Sequence, residues 1–275
     1  MKIRNSLSKC SLRKRTECKC IVSCHCSQVS HHVWSRFRWV YCQLETLRRS
    51  AQRNLRGILE KLPKTLDETY ERVLKDISEN NREHARRLLH CLAVAIRPLR
   101  VEELAEILAF DFDDVEGDIP KFRPDWRWKD PEEAVLSTCS SLISVVDYRY
   151  QRYGDVCRVV QFSHFSVKEF LISDRLASST SDISRHHTLS RPAHTIFAQV
   201  CLGCLLSLGY CMDWEHYDDF PLADYAAKKW VEHAQFEDVA SHVRDGIRSL
   251  FDPDEQHLEA WLGLLDVHAP AIARR

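Results

Sequence analysis

Phe162-Ser-His-Phe-Ser-Val-Lys-Glu-Phe-Leu171 decides how the rest of the chain is read. It follows a short β-branched run, Cys157-Arg-Val-Val-Gln161. The pattern predicts a strand that delivers His164 to the start of a helix, with Phe165, Val167, Phe170 and Leu171 forming an apolar seam. Helix N-termini and neutral imidazoles both suit phosphate oxygens, so His164 is a candidate phosphate contact. The competing reading is a histidine that closes the strand–helix junction through its own hydrogen bonds. At the level of sequence both stand.

Working outward, Leu142-Ile-Ser-Val-Val-Asp147 and Cys157–Phe162 are β-branched runs joined by a polar loop containing Gly154, the signature of a hairpin. Asp130-Pro131-Glu-Glu133 opens a helix to about Ser141, with Asp as cap and Pro at the first position. Val101, Leu104, Ala105 and Leu108 trace a short amphipathic helix with Glu102 and Glu103 in its first turn. The acidic run Asp111–Asp118 reads as a loop. Residues 82–96 predict a further helix with Leu88, Leu89, Leu92, Ala93 and Ile96 inside. Helix, turn, helix, helix, hairpin is the order of a winged-helix domain. The expected fold is mainly α: a winged-helix domain with one small β-hairpin wing, followed by an α-helical arm.

Upstream, Thr65-Leu-Asp-Glu68 is a capping box for a helix that buries Leu66, Thr69, Tyr70, Val73 and Ile77. Helices are also expected from Phe37 to Leu47 and from Leu55 to Leu62. Downstream, residues 176–192 read as a Ser/Thr/His-rich linker. Helices over 193–208, 222–235, 236–250 and about 256–265 then form the arm. The implied domains are a tail over 1–33, a helical stretch over 34–80, the winged helix over 81–175, the linker, and the arm over 193–275.

Composition narrows the classes. The chain has 275 residues and a net charge of −1, against a protein that coats nucleic acid or an anionic membrane. Only 7 glycines disfavour Gly-rich phosphate loops. Residues 1–33 carry seven Lys or Arg against one Glu and read as a disordered basic tail. Cys18, Cys20, Cys24 and Cys26 could clip a metal there, but tight C-x-C pairs fit zinc knuckles poorly. No secretory apolar core follows the basic start, which with scattered free thiols points to a reducing, cytoplasmic location. Thr195–Met212 has 18 residues without a formal charge, yet an amphipathic stripe through Ile196, Val200, Cys204 and Leu208 reads as a buried core helix rather than a membrane span.

No P-loop, nucleophile elbow, HExxH or dinucleotide fingerprint is present in the sequence, so no enzyme activity and no metal site are expected. Cys201-Leu-Gly-Cys204 lies in an apolar helix and reads as core. His186 and His187 with His194 could bind a metal but lack a Cys or carboxylate frame, and a solvated linker is the safer reading. Tyr225, Trp230 and His233 read as packing, with His233 at a polar edge. A winged helix also raises DNA as an alternative function. Its third helix, Glu132 to Ser141, offers two acids and no base, and residues 101–118 hold eight acids and no Lys or Arg. Arg149, Arg152 and Arg158 in the wing are what favours a duplex.

Several motifs resemble, in order, the region after the NACHT module of fungal STAND signalling ATPases: Phe37–Arg49, Leu62–Arg72, Arg97–Glu106, Phe162–Leu171 and Tyr225–Ala234. The winged helix of that region is the kind named after GPI inositol-deacylase, a label of shared ancestry that implies no deacylase activity. The resemblance implies a regulatory module that couples the nucleotide state of a NACHT domain to sensor repeats such as ankyrins. It implies that His164 touches a nucleotide phosphate when such a domain is present. ADP or ATP would need that domain, since the Walker motifs are absent and no cofactor is expected for this stretch. Arg100 departs from the usual Ser/Thr-type cap, and the chain reads as the middle of a larger switch.

Overall fold

A computed structural model describes residues 38–40, 42, 44, 62–149, 156–179, 182–209 and 220–267. The chain divides into two compact units, Met1–Glu71 and Arg72–Arg275. In the first, residues 38–40, 42 and 44 are helical, and the Trp39 indole N–H donates to the Pro63 carbonyl at 3.0 Å. The cysteine-rich tail and the helix expected over residues 55–61 lie outside the described residues. Helix α1, Leu66–Asp76, starts where Thr65 Oγ1 accepts from the Glu68 amide at 3.1 Å. Glu68 answers on the Lys64 amide at 2.7 Å, one residue earlier than a standard capping box.

In the second unit, helix α2 (Arg82–Val94) buries Ala85, Leu88, Leu89 and Cys91. It ends sooner than the periodicity suggests, and Ile96 is exposed. Strand β1 (Leu99–Arg100) leads into α3 (Val101–Glu106), prolonged by a 3-10 turn over Ile107–Ala109. The run expected to be an acidic loop is instead a hairpin. Strand β2, Phe110–Glu116, pairs with β3, Ile119–Phe122, through Phe110↔Phe122 and Glu116↔Ile119, with a register shift between Asp111 and Val115. Gly117, at φ 64°, opens its two-residue turn, where a left-handed residue is required. The acids mask this strand because their charge stays in water, while Phe110 and Ile119 are buried.

Helix α4 (Pro131–Cys139) begins as its sequence predicts: Asp130 Oδ1 accepts from the Glu132 and Glu133 amides at 3.0 and 3.1 Å. Strand β4 (Ile143–Arg149) pairs with β5 (Val156–Phe162), and β5 pairs with β1, giving an antiparallel sheet in the order β1-β5-β4. Val159 and Val160 turn into the core, opposite Val146 and Val145. Helices α2, α3 and α4 with this small sheet form the winged-helix domain. Arg152 and Gly154 of the wing loop lie outside the described residues.

Helix α5 (Phe165–Leu171) and the short α6 (Asp174–Ala177) lead to a 3-10 turn over Asp182–His186. This stretch, expected to be linker, is packed: Ile183 and His186 are buried, and the Thr188 amide donates to Leu171 O at 2.9 Å. The arm is α7 (Ser190–Gly209), α8 (Ala223–Ala234), α9 (Arg244–Leu250) and α10 (His257–Val267). Helix α7 is its axle, with α8, α9, α10, α2 and β3 around it. Phe197, Val200, Cys201, Cys204 and Leu205 are buried along it, and among the described residues no helix is long and apolar enough to cross a membrane. The hairpin docks here through two glycines. A Cβ on Gly203 would lie 2.9 Å from the Phe110 ring, and one on Gly246 would lie 2.4 Å from Ile119. Asp118 completes the contact by accepting from the Asp245 and Gly246 amides, each at 3.0 Å.

Candidate functional site

Strand β5 brings His164 to its place. Ser163 fixes the exit, its amide donating to Leu142 O at 3.0 Å and its hydroxyl to Ser141 O at 2.8 Å. His164 is extended, with φ −161° and ψ 149°, and is itself the N-cap of α5. Its Nδ1 accepts from the Ser166 amide at 3.3 Å and lies 2.6 Å from the Ser166 hydroxyl. An Nδ1 that accepts is unprotonated, so the neutral ring carries its proton on Nε2. The seam behind it is Val167, Phe170 and Leu171, all buried. Phe165 is outside that seam, contrary to the pattern: it is 39% exposed and its ring lies 4.1 Å from that of His164. Lys168 fastens the helix by donating to Ala93 O at 2.7 Å, in the last turn of α2.

A second polar cluster lies between the winged helix and the arm. Arg97, just after α2, forks onto Glu103 at 2.8 Å through both nitrogens and reaches Asp224 of α8 at 3.2 Å. Glu103 is fully buried and also accepts from the Arg100 amide at 2.8 Å and the Arg100 guanidinium at 3.1 Å. The departure from a Ser/Thr cap is thus filled by the carboxylate at the third helical position, which satisfies the first amide from the other side. Arg100 also donates to Pro221 O at 3.2 Å. The Arg97 guanidinium sits 4.8 Å from the centre of the Tyr225 ring, a cation–π contact.

From Tyr225 a hydrogen-bond ladder runs into the arm. Its hydroxyl accepts from the Ile96 amide at 3.2 Å and lies 2.9 Å from His233 Nε2. His233 Nδ1 in turn lies 2.9 Å from His194 Nδ1, so one of the two rings carries the proton shared between them. Burial pushes His233 down to about 3, with His194 and Lys229 adding to the shift. His194 is lowered by burial against a small opposing effect of Glu237, and Tyr225 is raised, chiefly by burial. His233 is therefore no polar-edge residue: it is 0% exposed. The sequence carried one signal of this, the placement of Tyr225 and His233 at i and i+8 on one helix face.

The other candidates are structural. Cys201 and Cys204 are buried free thiols inside α7, raised by burial, as a core reading requires. His186 is 1% exposed instead of solvated. It and His90 are both pushed down to about 4, by burial first and then by Arg185 and Arg86 respectively. Among the described residues no group of His, Cys, Asp and Glu is arranged to hold a metal. On the DNA-facing side, Arg158 is in an ion pair with Glu132 of α4. The helix that would enter a groove thus consumes one of the wing's basic residues, and Glu133 is exposed.

Residues 70–182 match the family described as "GPI inositol-deacylase, winged helix domain". A winged-helix domain of that kind is therefore present in the chain. Among curated proteins, the "Azaphilone pigments biosynthesis cluster protein L" of Monascus ruber is a homologue, 30% identical over 227 residues, which is 80% of this chain and 46% of the relative. The chain thus spans about half the length of that relative. No solved structure matches it.

Proposed function

We propose that the chain is a non-enzymatic coupling module of a NACHT-type STAND signalling protein, passing the nucleotide state of a P-loop domain toward a sensor region. The supporting observation is the cluster around Arg97 and Tyr225. Winged helix and arm share one network of charges and hydrogen bonds around the buried Glu103 and Tyr225, so a displacement of either must be borne by the other. The greater length of the homologue fits a module that works beside further domains. In this reading His164 contacts a nucleotide phosphate held by the P-loop domain, while its Nδ1 caps α5. The chain's own sequence has no motif for ADP or ATP, and its partners are the P-loop and sensor regions of a full-length relative.

The test mixes the purified chain with the P-loop portion of a full-length relative, loaded with ADP or with a non-hydrolysable ATP analogue, and measures complex formation by light scattering. Association should favour the ADP-loaded form, and His164→Ala should weaken that preference without unfolding the chain. Equal behaviour in both nucleotide states defeats the proposal. In parallel, duplex DNA should not shift at low salt; a salt-sensitive shift would instead support a DNA-binding regulator.

A further inference from the structure

We propose that the cavity between the β2–β3 hairpin and helices α7, α9 and α10 binds a small organic cation, an amine or amidine on an aromatic body. The cavity has a volume of about 420 Å³, within the range of small-ligand sites. Its walls include Phe122, Phe220 and Leu206, and the two phenylalanine rings lie 5.7 Å apart. Glu116, Asp252 and Glu255 also line it. Among the described residues none of these three carboxylates is in an ion pair. Lys121, on the same lining, is already 3.6 Å from Asp114. Three solvent-exposed acids thus stand at the rim of apolar walls against one lysine, a combination that favours a cation carried on an apolar body.

The walls are held in place before any ligand arrives. The Arg127 guanidinium lies 5.0 Å from the Phe122 ring centre and 5.1 Å from that of Phe220, and is anchored on the buried Glu106 carboxylate at 2.5 Å. Asp118 ties the hairpin to the start of α9, and Gly246 lets Ile119 close against it. A preformed site loses less to ordering on binding.

The experiment is isothermal titration calorimetry on the full chain with tryptamine, phenethylamine and benzamidine. Each is paired with a neutral counterpart of the same shape: tryptophol, 2-phenylethanol and benzamide. At least one amine or amidine should bind about tenfold or more tightly than its neutral counterpart, with an affinity that falls as salt rises. The variant Glu116→Gln/Asp252→Asn/Glu255→Gln should lose that discrimination while keeping its circular dichroism spectrum. Leu206→Trp, which fills the cavity, should lose binding of both members of a pair. No binding by any of the three cations overturns the proposal. So does equal binding of charged and neutral members, or discrimination that survives in the triple variant.

Discussion

His164 hydrogen-bonds Ser166, two residues away, whereas His233 meets His194 of α7 and, through Tyr225, the Ile96 amide just after α2. The first is half-buried at a strand–helix junction; the second is sealed between two helices. A histidine held by its own turn can be altered with local consequences. One held by three separate elements carries part of the cost of keeping those elements together. The difference separates a side chain that caps its own helix from one that ties distant segments together.

Acid is the strongest way to sharpen this contrast. His90 and His186, pushed down to about 4, and His233, pushed down to about 3, stay neutral when folded, while unfolded histidines protonate near 6.5. The unfolded chain then binds more protons, so stability falls as pH drops below about 6.5 and levels off only below the folded values. Each of the three should contribute a loss of about 1.4 kcal/mol per pH unit across that window. The charges near them are mixed: Glu83, Arg86, Asp182 and Arg185 around the first pair, and Lys229 and His194 around His233. Urea unfolding at pH 7, 6 and 5 measures it, and a flat profile would show that these rings are hydrated.

Glu103→Ala tests the other half of the buried cluster. It strips the Arg97 and Arg100 guanidiniums of their buried carboxylate, leaves Arg97 with Asp224, and should cost about 2–3 kcal/mol, read as a shift in the urea midpoint. Gly246→Ala should cost about 1–3 kcal/mol, because its new methyl meets Ile119 at 2.4 Å. Ile119→Val in the same chain should return part of that loss. His164→Ala should be the mildest, about 1 kcal/mol for a lost helix cap. Thermal unfolding distinguishes them; a His164 variant as damaging as Glu103→Ala would erase the contrast.

Short-range chemistry was legible in the sequence. Asp130 before Pro131, Thr65 before Glu68 and the β-branched runs of the wing each carried their own start or stop signal, and each became the expected element. His164 stands at the strand–helix junction that the sequence predicts, because a strand, a cap and an apolar seam meet within ten residues. What escaped were relations between distant segments. Phe110–Phe122 was hidden by acids whose side chains stay in water, although Gly117-Asp118 was a turn signal. His186 looked solvated because nothing near it in sequence announces the α2 surface that covers it. The pairing of Arg97 with Asp224 and of Ile96 with Tyr225 spans well over a hundred positions, beyond any periodicity.

The Arg97–Glu103–Asp224 contact also bears on what counts as a separable part. The stretch matched by the winged-helix family stops at residue 182, before α7 and α8 begin. Cut there, Arg97 would lose Asp224, the Ile96 amide would lose its acceptor, and α2 would lose the face that α7 covers. The boundary inherited as a unit of descent is therefore not a boundary of folding autonomy. Any exchange of winged helices between relatives would have to carry the arm along with it, or replace every contact the arm now makes.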